Sequence, residues 1–152
     1  RSRGISPERL VFADFIALPD HLARHRAADL FLDTFPYGGH GTASHALWAG
    51  LPVLAMLGDT FAGRVAASLL TALGLPELIA ESVAEYEDMA VDLATHPKKI
   101  AALKQRLLAN HTTAPLFDTA RFTRHVEHAY RTMLELHEAG RPAEDIHIPD
   151  IA

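Results

Sequence analysis

Between Ala28 and Met56 the chain reads A-D-L-F-L-D-T-F-P-Y-G-G-H-G-T-A-S-H-A-L-W-A-G-L-P-V-L-A-M, an order of residue types that leaves few folds open. Leu30–Leu32 is a short apolar run, suited to a strand buried on both faces. Asp33 and Thr34 close it. Pro36, Gly38 and Gly39 then deny helix or ladder to the next residues. Thr42 or Ser44 can cap a helix running through Trp48 and Ala49. Gly50 suits the left-handed position just past its end, and Pro52 prevents continuation. Val53–Met56 is a second apolar strand. A parallel strand–helix–strand unit puts its first turn at the carboxyl end of the sheet. There free N–H groups and the helix dipole favour an anion. The glycines let an anion approach the backbone, and His40, Thr42, Ser44 and His45 add donors around it. The same pattern also fits a plain crossover with a polar loop. G-G-H-G-T is not G-x-G-x-x-G, and it lacks the lysine of a Walker loop.

Several classes fall away on composition. The formal net charge is −5 and no basic stripe is present, which argues against a nucleic-acid surface. There is no cysteine, so disulfides, thiolate nucleophiles and cysteine-ligated zinc are excluded. No apolar run approaches the roughly 18 residues of a membrane span. Arg1–Arg9 is not followed by the long apolar stretch of a signal peptide, so a cytoplasmic location is expected. At 152 residues the chain is long enough for one domain with a real core. Its lysines are Lys98, Lys99 and Lys104, so none lies near the glycine turn in sequence.

The remaining pattern predicts more strand and helix around this unit. Leu10–Phe12 reads as a strand and Asp14–Pro19 as a loop. Asp20 would cap a short helix to Arg26. His21 and His25 are four apart and share a face, a spacing that can hold zinc, but no third ligand is evident. Solvated histidines are the alternative, His25 among them. Asp59 or Thr60 would cap a helix from Phe61 to Leu73, with Phe61, Val65, Leu69 and Leu73 as its apolar face. Gly74 follows it. Leu78–Ala80 is a last strand. Ser82 to Glu85 is a capping box opening a helix to Ala94. Glu85, Glu87 and Asp88 complement that helix dipole rather than forming an acid–base pair. Pro97 starts another helix to Asn110. Asp118 caps a long one to Ala139, its buried face marked by Phe122, Val126, Ala129, Met133 and Leu136. His125, His128 and His137 ride on it as surface residues. The fold class is α/β, with about four parallel strands, helices on both faces and the last helix packed behind.

H-G-T-A-S-H-A-L-W-A-G-L-P-V-L at 40–54 and G-D-T-F-A-G-R-V-A-A-S-L-L at 58–70 resemble the C-terminal catalytic region of the O-linked N-acetylglucosaminyltransferases, including the SPINDLY-like proteins. The likeness begins at Arg9-Leu10-Val11-Phe12. It continues through Ala28-Asp29-Leu30, Leu32-Asp33-Thr34, Tyr86-Glu87-Asp88 and Pro115-Leu116-Phe117, in order and almost without gaps.

The resemblance implies most of the C-terminal, Rossmann-like nucleotide-binding half of a GT-B glycosyltransferase over 1–140, with a tail at 141–152. It implies UDP-N-acetylglucosamine as donor, Ser or Thr hydroxyls of proteins as acceptors, inversion at the anomeric carbon, and no metal or other cofactor. Partners would be the donor, an acceptor protein and the N-terminal half of the same enzyme, with no nucleic acid and no membrane. The diphosphate-binding lysine, the acceptor site and the catalytic base would lie upstream of Arg1, where the family usually carries tetratricopeptide repeats. Carried over residue by residue, the uridine pocket is Ile16, Ala17, Leu18, His21 and Arg24. The diphosphate and ribose would meet His40, Gly41, Thr42 and His45.

The sequence departs from the family at three of these. Leu18 stands where a lysine is frequent, Gly41 where a second threonine is common, and His45 where an aspartate is common. Three alternatives stay open: a related GT-B transferase with another donor or acceptor, an inactive nucleotide-binding module, and an interaction domain on the same fold.

Overall fold

The computed structural model describes residues 4–150. Its centre is a parallel sheet in the order β1 (Phe31–Leu32), β2 (Val53–Met56), β3 (Ile79–Ala80). Phe31 pairs with Val53 and Leu32 with Leu54, then Ala55 with Ile79 and Met56 with Ala80. Alternation along β2 distributes its side chains to two cores. Val53 and Ala55 face Ala43, Ala46 and Leu47 of α2 (Gly41–Trp48) and Ala66 and Leu70 of α3 (Phe61–Ala72). Leu54 faces Tyr86, Met89 and Ala90 of α4 (Val83–Thr95) on the other side. Helices therefore cover both faces, as a parallel sheet requires.

Local chain chemistry fixes the element ends. Gly50, Gly74 and Gly140 all have positive φ, at 83°, 68° and 66°, each just past a helix. Thr60 caps α3 by accepting the Gly63 N–H at 3.2 Å, and Ser82 caps α4 by accepting the Glu85 N–H at 3.2 Å. The Glu85 carboxylate reaches back one residue further than a capping box does, to the Glu81 N–H at 2.7 Å. α5 spans Pro97–Asn110, and Asp118 caps α6 (Thr119–Glu138) through the Arg121 N–H at 2.8 Å.

Four expectations need correction. Leu10–Phe12 forms no strand, and Val11 and Phe12 are 88% and 92% exposed. A strand exists only with a ladder partner, and among the described residues none lies beside this run. The sheet accordingly has three strands, not four. On α3 the buried side chains are Ala66, Ala67 and Leu70; of the expected stripe Leu73, just past the helix end, is fully buried, Val65 and Leu69 are half-buried and Phe61 is exposed. The small alanines face the sheet, so the stripe of larger side chains turns outward toward the start of the helix. No residue of α6 is buried: Phe122 and Met133 are exposed, and Val126, Ala129 and Leu136 are half-buried. Periodicity marks a face but does not supply the surface that would cover it. The segment after Gly140 returns along α6, where Asp150 accepts both hydrogen bonds from Arg121 Nη2 at 2.5 Å.

Candidate functional site

The carboxyl end of β1 leads through Asp33 and the cis Phe35–Pro36 bond to the turn Gly38–Gly39–His40, and so into α2. Asp33 is buried. Its Oδ1 accepts the Gly39 N–H at 2.6 Å. A Cβ on Gly38 would lie 2.8 Å from Asp33 Oδ2, and one on Gly39 2.8 Å from Thr42 Oγ1. The two glycines thus make room for Asp33 and Thr42, more than for an approaching anion. Nor are their N–H groups free, since Gly38 donates to the Ala62 carbonyl at 3.1 Å. Burial pushes the Asp33 carboxyl up from its ordinary range, against the N–H groups of Gly39 and Thr34 and the charge of His40.

α2 is capped earlier than the sequence suggests, two residues before Thr42 and four before Ser44. The cap position is His40, not Thr42 or Ser44, and no side chain caps it. The first intrahelical bond is Ser44 N–H to the His40 carbonyl at 3.0 Å. The N–H groups of Gly41, Thr42 and Ala43 precede that bond and have no partner within the helix. Gly41 and Thr42 are exposed, and nothing lies within 4 Å of where a Gly41 Cβ would be. The His40 ring stacks on Tyr37 at 5.2 Å, meets Phe61 edge-on at 5.9 Å, and places Nε2 3.3 Å from the Ala62 carbonyl. With Nε2–H donated there, a neutral His40 presents Nδ1 as an acceptor.

α1 (Leu18–Arg24) closes the other side. Ala17 is its cap residue, Leu18 and Pro19 open its first turn, and Asp20 lies inside the helix rather than capping it. Ile16 is half-buried, while Ala17 and Leu18 are exposed. Arg24 is committed locally: Nη1 donates to the Asp14 carbonyl in the loop before α1 and Nη2 to His21 Nδ1, each at 2.8 Å. That bond makes His21 Nδ1 the acceptor, leaving Nε2–H as donor. The His21 ring meets His45 of α2 edge-on, 5.6 Å between centroids. Partial burial, together with His25, Arg24 and His45, holds His21 below the usual histidine range. His25 is buried, not solvated, with Nδ1 2.7 Å from the His21 carbonyl. Among the described residues no three histidine or carboxylate side chains are placed to hold a metal ion.

The structure therefore joins His21, Arg24, His40, Thr42 and His45 around the exposed start of α2, with Gly41 at its tip. Cavities of about 390 Å³ beside Asp29 and Lys104, and about 490 Å³ beside Trp48 and His111, lie away from this turn. Sequence reading missed Asp33, Tyr37, Phe61 and Tyr86 as shapers of the site. Of these only Asp33 carries a local signal, a carboxylate between an apolar strand and a Gly-Gly pair.

Residues 1–126 match the family model described as glycosyl transferase family 41. Over 141 residues, 92% of the chain, the sequence is 39% identical to a probable UDP-N-acetylglucosamine–peptide N-acetylglucosaminyltransferase SEC of Arabidopsis thaliana. It is 36% identical over 95% of the chain to the UDP-N-acetylglucosamine–peptide N-acetylglucosaminyltransferase of Caenorhabditis elegans. These matches span only 14% and 12% of the two relatives. Among solved structures, a mutant O-GlcNAc transferase of Thermobaculum terrenum superposes with a TM-score of 0.81 and 37% identity, over 87% of this chain and 25% of that one.

Proposed function

The chain belongs to glycosyl transferase family 41, and on that footing we propose that it is the UDP-sugar-binding part of an enzyme transferring N-acetylglucosamine from UDP to Ser or Thr hydroxyls of proteins. The observation that carries this reading is the uncapped start of α2, with the backbone donors of Gly41 and Thr42 at exposed residues beside paired His21 and His45. Inverting transfer needs an acceptor oxygen aligned behind the anomeric carbon, a group to take its proton, and stabilisation of the leaving UDP. This chain supplies the third. The diphosphate takes the N–H groups of Gly41 and Thr42 and the Thr42 hydroxyl, at the positive end of the α2 dipole. The base lies against His21, and the ribose against His45, one helical turn beyond Thr42. No metal is required in this scheme. The acceptor site and proton acceptor come from the rest of the polypeptide, so residues 1–152 alone bind UDP weakly and do not transfer sugar.

The test uses the intact enzyme. Thr42→Ala should weaken UDP and lower turnover together, by about three- to tenfold for one lost hydrogen bond. Unchanged UDP affinity and turnover would place the diphosphate elsewhere. Sugar transfer by isolated residues 1–152 would show that a proton acceptor lies within the chain.

A further inference from the structure

Resting on the reading of the α2 start as the diphosphate site, we infer that Asp33 is a positioning residue for donor binding: its buried carboxylate draws the Gly39 N–H inward and thereby aims those of Gly41 and Thr42 at the ligand.

Asp33 is anchored at three points. Its N–H donates to the Leu54 carbonyl of β2 at 2.9 Å. Its carbonyl accepts the Tyr86 hydroxyl of α4 at 2.8 Å. Its Oδ1 holds Gly39 at 2.6 Å, a short bond of the kind that charged acceptors form. The turn is thus tied through one side chain to the sheet and to α4, and is not set by loop conformation alone. Packing enforces this, because Oδ2 fills the space where any Gly38 side chain would begin. An ionised carboxylate close to a diphosphate opposes its binding. The N–H groups of Gly39 and Thr34 and the neighbouring His40 offset that charge, while Tyr86 on α4 is the other titratable group beside it. Pre-set donors spare the ligand the work of ordering them.

Uridine and UDP distinguish this role from simple support of the fold, because only UDP uses the turn. In the intact enzyme Asp33→Ala should lower the preference for UDP over uridine about tenfold and leave uridine affinity unchanged. Asp33→Asn, which keeps an oxygen for Gly39, should stay within about threefold of wild type. Hydrogen exchange supplies a measurement that needs no variant. The Gly39 amide should be protected in the free enzyme, and the Gly41 and Thr42 amides only with UDP bound. The inference is overturned if Asp33→Ala keeps the preference, if both ligands weaken in parallel, if Asp33→Asn falls as far as alanine, or if Gly39 exchanges like an exposed amide. Should Asp33→Ala not fold, the asparagine variant and the exchange data decide. A wild-type enzyme that binds uridine as tightly as UDP would instead refute the diphosphate site itself.

Discussion

The Tyr86 hydroxyl donates to the Asp33 carbonyl at 2.8 Å, joining positions 53 residues apart and closing the end of β1 against α4. Tyr86 also meets Phe35 edge-on at 5.5 Å, just before the glycine turn. One buried phenol therefore fixes both the strand end and the start of the loop that carries the site. Tyr86→Phe keeps the ring and removes the hydrogen bond. It should cost about 1–2 kcal/mol in urea unfolding of the intact enzyme, since a buried carbonyl loses its partner. A loss below a few tenths would mean that another donor takes its place.

His40 donates Nε2–H toward the Ala62 carbonyl and stacks on Tyr37, which holds its ring at the start of α2. His40→Ala should weaken UDP several-fold. Titration calorimetry reads this, and unchanged affinity would confine His40 to a packing role.

His45 stands three residues beyond Thr42 on the same face of α2 and against His21. A carboxylate can accept from both ribose hydroxyls at once, whereas a neutral imidazole has one acceptor nitrogen. His45→Asp should bind UDP more tightly at pH 8 by about 1 kcal/mol, or several-fold. Affinities equal to wild type at both pH 6 and pH 8 would remove His45 from the ribose.

The folded-state pKa of His21 lies below its unfolded value of 6.5. The unfolded chain then binds more protons in that range, so stability is retained above the unfolded value and lost as pH falls through it. Urea midpoints should drop between pH 7.5 and pH 5.5, and His21→Gln should show a smaller drop than wild type. Identical drops would detach the acid sensitivity from His21.

Gly50 closes α2 at φ 83°, and a Cβ there would come within 3.3 Å of Leu108 Cδ2 on α5. Gly50→Ala should destabilise by about 1–2 kcal/mol from the left-handed backbone alone. Thermal unfolding measures it, and a neutral substitution would show that the helix end relaxes to negative φ.

What the sequence determined by itself is local. The order β1–α2–β2, the left-handed Gly50 and Gly74, and the caps at Thr60, Ser82 and Asp118 all follow from φ, ψ and bonds within four residues. Such choices depend on neighbours in the chain, which the sequence states directly. The family motifs likewise named His21, His40, Thr42 and His45. Only the tertiary structure decided which groups are spoken for. It put α1 against α2 so that His21 meets His45, and it gave the Gly39 N–H to Asp33 and the Arg24 guanidinium to His21 and Asp14. It also buried His25, left Leu10–Phe12 without a ladder partner, and left the apolar face of α6 uncovered by any buried contact. Burial and hydrogen-bond pairing depend on what lies across space, and periodicity records a tendency to be covered without naming the cover.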